Sequence, residues 1–119
     1  YRESALAAFP APVEDAKTGI RFLRAHADEY KVDSNNIFIL GDSSGGHTAL
    51  LTAFTQNQKG VLDSKLYPEY STEVNAVVAF NPVTDICQPD FPTTPNQGKA
   101  DSPEGMEIGN KMFIENPSL

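Results

Sequence analysis

The chain holds a single cysteine, Cys87, so it can close no disulfide on itself. No neighbouring histidine or cationic cluster would activate that thiol, and a structural or incidental role is expected. No run of about eighteen apolar residues is present, which argues against a membrane-spanning helix. Basic residues are scarce: nine lysines and arginines stand against sixteen aspartates and glutamates, a formal charge of -7. An acidic surface repels phosphate backbones, so nucleic acid is not an expected partner. The charge balance reads as solubility, and no basic amphipathic stretch suggests a membrane surface. No His, Cys, Asp and Glu group has metal-ligand spacing, and no cofactor is implied. Internal repeats and low-complexity tracts are also missing.

What is present is globular composition: 119 residues, 39% hydrophobic and 21% charged, enough for one domain at most. The chain begins at Tyr1 rather than methionine and ends at Leu119, straight after Asn116-Pro117-Ser118. It therefore reads as a fragment, and cytoplasmic and secreted origins both stay open, as does the oligomeric state.

Periodicity organises the first two thirds. Pro10 and Pro12 punctuate an opening loop, and Pro12 suits the first helical position. Val13, Ala16, Ile20, Leu23 and Ala27 then recur at three- and four-residue spacing, predicting an amphipathic helix over about 12–30. Glu14, Asp15, Lys17, Arg21 and Arg24 fall mostly on other faces, with acids early and bases later, as the helix dipole favours. Asp33 to Asn36 reads as a turn. The apolar quartet Ile37 to Leu40 predicts a strand over about 36–41, buried on both faces. Gly41 to Gly46 is a tight turn, followed by an Ala- and Leu-rich helix over about 44–56. A polar loop leads to a second buried strand over about 74–80. From Pro82 to Leu119 prolines dominate, predicting a long loop or cap region with a short helix near 106–114. Helix, strand, helix, strand in this order predicts an α/β fold with a mostly parallel sheet and flanking helices.

Chemistry concentrates in Gly41-Asp42-Ser43-Ser44-Gly45-Gly46. The pattern G-x-S-x-G alone is common. Here an apolar strand precedes it and a helix follows, which is the setting of a nucleophile elbow. Gly41 and Gly45 would let strand and helix approach on either side of Ser43. The Ser43 hydroxyl would stand clear at the carboxyl end of the strand. The Ser44 amide, at the helix N-terminus, would point at the oxyanion of a tetrahedral intermediate. Ser43 is thus the expected catalytic residue and the Ser44 N–H an expected oxyanion-hole donor. A phosphate-binding loop is the competing chemistry, but His47 and Thr48 follow Gly46 where that motif needs Lys and Ser or Thr. The string also resembles the G-D-S-G-G of chymotrypsin-type proteases, whose fold is all-β, unlike the helical pattern on both sides here. A glycine-rich turn without chemistry is the plain alternative.

The stretches Tyr1-Arg2, Phe9 to Ala16, Arg21-Phe22-Leu23 and Gly41 to His47 resemble the hormone-sensitive-lipase-like and related feruloyl or acetylxylan esterase branches of the α/β-hydrolases. Ser102 to Gly105, Ile108-Gly109 and Glu115-Asn116-Pro117 are similar to a segment of bacterial esterases in the second group. The Glu3-Ser4-Ala5-Leu6 run departs from the family and is expected to be a local loop change. The resemblance implies a serine hydrolase of carboxylic esters, acting through an acyl-enzyme on a small-molecule or carbohydrate-linked ester. It also implies that the first oxyanion loop, the triad acid and the triad histidine lie outside this chain. The same residues leave open a peptidase of the same fold or a non-catalytic binding module. Of the remaining candidates, His47 is expected to pack or hydrogen-bond near the helix start, and His26 to be incidental. Asp42 is expected to be structural, and Asp85 to fix a loop.

Overall fold

The computed structural model describes residues 1–2, 6–7, 9–60 and 62–84. The departure at Glu3 to Ala5, Asp85, Cys87 and most of the proline-rich region lie outside the described residues.

The first helix, α1, spans Ala11–Ala25. Its start is closed by the Pro10 carbonyl, which accepts from the Val13 and Glu14 amides at 3.0 and 3.1 Å. Pro12 occupies the second helical position, where the missing N–H is still one of the unpaired donors. Where one helix was expected to Tyr30, the chain breaks at His26. The His26 amide and ring Nδ1 both donate to the Phe22 carbonyl, at 3.0 and 2.9 Å. A short helix, α2, follows at Ala27–Tyr30 and stops at Lys31, whose backbone is left-handed. The His26 ring stacks on Phe22 at 4.2 Å and meets Tyr67 edge-on.

Asp33 builds the next turn with its own carboxylate, which accepts from the Asn35 amide and the Asn36 side chain. Those hydrogen bonds, the Asn36 side chain first, hold the Asp33 carboxyl below the usual aspartate range. Strand β1 is Phe38–Asp42 and strand β2 is Ala76–Phe80. They pair in parallel, from Phe38 beside Ala76 to Asp42 beside Phe80. Asn75 extends the ladder by one residue: its amide donates to the Ile37 carbonyl, and its side-chain oxygen accepts from the Ile37 amide. Helix α3, Ser44–Phe54, connects the strands, packs on both of them and lies against α1. The core is Ile20, Ile37 and Val74, with Ile39 and Ala53 against it. This is a partial α/β fold, with a parallel pair and flanking helices.

One expectation needs correcting. The strands are not buried on both faces. The side chains of Phe38, Leu40, Val78 and Phe80 are exposed, because α3 covers the opposite face and no described element covers theirs. The bases of α1 do not all face solvent. Lys17 and Arg21 are buried, and they bind backbone carbonyls of the segment between α3 and β2. Lys17 Nζ reaches the Thr55 carbonyl at 2.7 Å. Arg21 donates to the Ser64 and Tyr70 carbonyls and lies 3.0 Å from the Asp63 carboxylate. Arg24 holds the Ser71 carbonyl at 2.8 Å. Spacings of four and three residues align these three cations along one stripe of α1.

Candidate active site

Between β1 and α3 the backbone turns at a single residue. Ser43 has φ 53° and ψ −118°, a left-handed conformation that side chains rarely adopt. Such a conformation costs about 1–3 kcal/mol and persists only where its surroundings enforce it. Here the Ser43 amide donates to the Phe80 carbonyl of the neighbouring strand at 2.9 Å. Its carbonyl accepts from the His47 amide at 3.1 Å, closing the first turn of α3. The turn is thus fixed from the sheet on one side and from the helix on the other.

The glycines explain how helix and strand come so close. A Cβ on Gly41 would lie 2.1 Å from the Gly45 carbonyl oxygen, so no side chain fits there. Gly45, expected to serve the same purpose, has open space where its Cβ would be. The second tight position is Gly46, whose Cβ would meet Pro82 Cβ at 3.1 Å and the Phe80 carbonyl at 3.2 Å. The pattern G-x-S-x-G points to its own last glycine, but the crowding comes from the segment leaving β2, which no local motif encodes.

Ser43 is exposed and stands as the N-cap residue of α3, yet its side chain caps no amide. The hydroxyl is therefore not committed to the helix, unlike an ordinary capping serine. Ser44 is the first helical residue, so its amide has no intrahelical acceptor and lies at the positive end of the helix dipole. Asp42, the last residue of β1, is exposed. His47 is buried, and its Nδ1 lies 2.7 Å from the Val83 carbonyl. The chain has two histidines, and each places its Nδ1 on a backbone carbonyl, His26 on that of Phe22. Among the described residues no group of His, Cys, Asp or Glu could hold a metal ion, and no helix is long and apolar enough to cross a membrane.

A parallel strand pair with helices packed on it is a partial α/β fold, and known proteins place it among α/β-hydrolase-like esterases. The BD-FAE family model matches residues 1–119, and the chain belongs to that family. It is 36% identical over 89 residues to the probable carboxylic ester hydrolase LipM of Mycobacterium tuberculosis, covering 72% of this chain and 20% of that protein. Among solved structures, it is similar to a bifunctional GH43-CE protein of Bacteroides eggerthii, with 36% identity and a TM-score of 0.73 over 92% of this chain and 15% of that one. A truncated carbohydrate esterase from gut microbiota gives 31% identity and a TM-score of 0.74 over 92% of this chain and 41% of that one. The chain thus spans about a fifth of the length of the curated relatives it matches.

Proposed function

We propose that this chain carries the nucleophile of a carboxylic ester hydrolase, and that Ser43 is that nucleophile. The observation that carries the proposal is the exposed, positive-φ Ser43 held between β1 and α3 with its hydroxyl unused as a cap. In the reaction, Ser43 Oγ bonds to the ester carbonyl carbon and its proton passes to a histidine. The resulting oxyanion takes a hydrogen bond from the Ser44 amide. Collapse expels the alcohol, which receives the proton, and water then releases the acid from the acyl-enzyme. The histidine is assigned to another part of the whole protein, since His26 and His47 are both engaged elsewhere, and the family resemblance implies the same for its orienting acid. The 119 residues alone are accordingly expected to be inactive, because an unassisted serine hydroxyl is a weak nucleophile.

The two solved neighbours are described as a GH43-CE protein and a carbohydrate esterase, which supports an ester borne on a carbohydrate as substrate. The test is reaction of the full-length protein with a fluorophosphonate, with and without Ser43→Ala. Label on Ser43 that vanishes in the alanine form is the expected result. Label that persists in that form would overturn the assignment.

A further inference from the structure

We infer that His47 is a positioning residue that fixes the wall of the ester site next to Ser43. The inference rests on the Ser43 reading and extends it to a residue with no part in the proton transfers.

The last paired residues of the sheet are Asp42 and Phe80. One residue later both strands break in left-handed backbone, Ser43 at φ 53° and Asn81 at φ 43°. Ser43 and Asn81 therefore leave the sheet side by side, and both are exposed. The end of β2 and the segment after it run past the elbow and are tied to it three times. The Phe80 carbonyl accepts the Ser43 amide, Pro82 packs where Gly46 lacks a Cβ, and the Val83 carbonyl lies 2.7 Å from His47 Nδ1. Only the last of these ties runs through a side chain hydrogen bond.

A carbonyl can only accept, so Nδ1 must carry the proton and donate. In the neutral ring Nε2 is then left with a lone pair and no proton. His47 is only 8% exposed, and its Nε2 is buried with no hydrogen-bond partner among the described residues. Among the described residues the ring thus acts through one nitrogen alone. It sits on the first turn of α3, one turn behind the nucleophile, and reaches across to the chain that leaves β2 beside Ser43. Freed from His47, residues 81–83 would keep their backbone tie at Phe80 and lose the one at Val83. Substrate contact with that wall would loosen while Ser43 stayed in its turn.

The two side-chain amides separate this role from a general need for a polar group. The Nδ2 of asparagine stands as many bonds from Cα as His47 Nδ1, whereas the amide of glutamine matches Nε2. In the full-length protein, His47→Gln and His47→Leu are expected to raise KM for an ester substrate about tenfold, and His47→Asn to return it to within about threefold of the unaltered value. Nitrogen-15 shifts of the labelled imidazole are expected to report the Nδ1–H tautomer. Equal KM in all three variants, rescue by glutamine rather than asparagine, or an Nε2–H tautomer would each overturn the inference. Fluorophosphonate labelling of the same samples separates the two levels. Label on Ser43 with equal KM values removes the role of His47 alone, whereas no label on the unaltered protein removes the Ser43 reading and this inference with it.

Discussion

Helices α1 and α3 lie against each other and bury opposite kinds of surface. The buried side of α3 is made of small or short residues, Gly46, Thr48, Ala49 and Thr52, with His47 among them. The buried side of α1 includes two long cations, Lys17 and Arg21. The difference follows from what each helix meets. Helix α3 must sit close against two strands so that its first turn can hold Ser43, and bulk would push it away. Helix α1 meets a loop-rich segment, and its long donors reach backbone carbonyls there. Close approach places Ser43, while reach and charge hold the chain that returns to β2.

Four substitutions would break or sharpen that contrast, all in the full-length protein. The largest effect is expected from Gly41→Ala, whose Cβ would fall 2.1 Å from a backbone oxygen that cannot move without displacing α3. A loss above about 3 kcal/mol, or no soluble protein, is expected by thermal or denaturant unfolding. Gly45→Ala, in open space, should change stability by less than about 1 kcal/mol. Similar losses for the two would show that close approach is not what the elbow requires.

Next comes Arg21→Met. It removes two hydrogen bonds to carbonyls and leaves the Asp63 carboxylate without its partner. A loss of about 3 kcal/mol is expected, with faster amide exchange in residues 62–72 than in α3. Equal exchange in both would mean that the bases of α1 do not hold that segment.

The smallest effect concerns pH. Burial, the largest influence, holds the Lys17 ammonium below the ordinary lysine value of 10.5; nearby Asp63 opposes the shift and Arg21 adds to it. The unfolded chain then binds more protons than the folded one between the lowered value and 10.5, so the contribution of Lys17 to stability rises as pH climbs through that window. The unfolding free energy of the unaltered protein relative to Lys17→Met should increase with pH there. A flat difference would show that the ammonium is not desolvated.

Much of the candidate site is legible locally. An apolar quartet, a glycine-flanked serine and an Ala- and Leu-rich stretch lie within twenty residues, and both sheet and helix periodicities show in that window. The neighbours of that serine were not legible. The partner of His47 lies 36 residues away, and the partners of Lys17 and Arg21 lie 38 to 49 residues away. A base on a polar helical stripe looks solvated until the carbonyls it binds are in place. Similarly, an apolar strand reads alike whether one face or both are covered, so the exposure of Phe38, Leu40, Val78 and Phe80 could be known only from the packing.

The amino-acid sequence by itself determined where the chain is extended, where it coils, and which hydroxyl lies at the sharp turn between, because strand, turn and helix preferences are set by neighbours a few residues apart. Tertiary structure alone decided which glycine is crowded, which face of the sheet is covered and which carbonyls the buried cations and His47 bind. Those contacts join residues that meet only when the parallel strands pair, and β1 and β2 can pair only after the chain between them has crossed over α3.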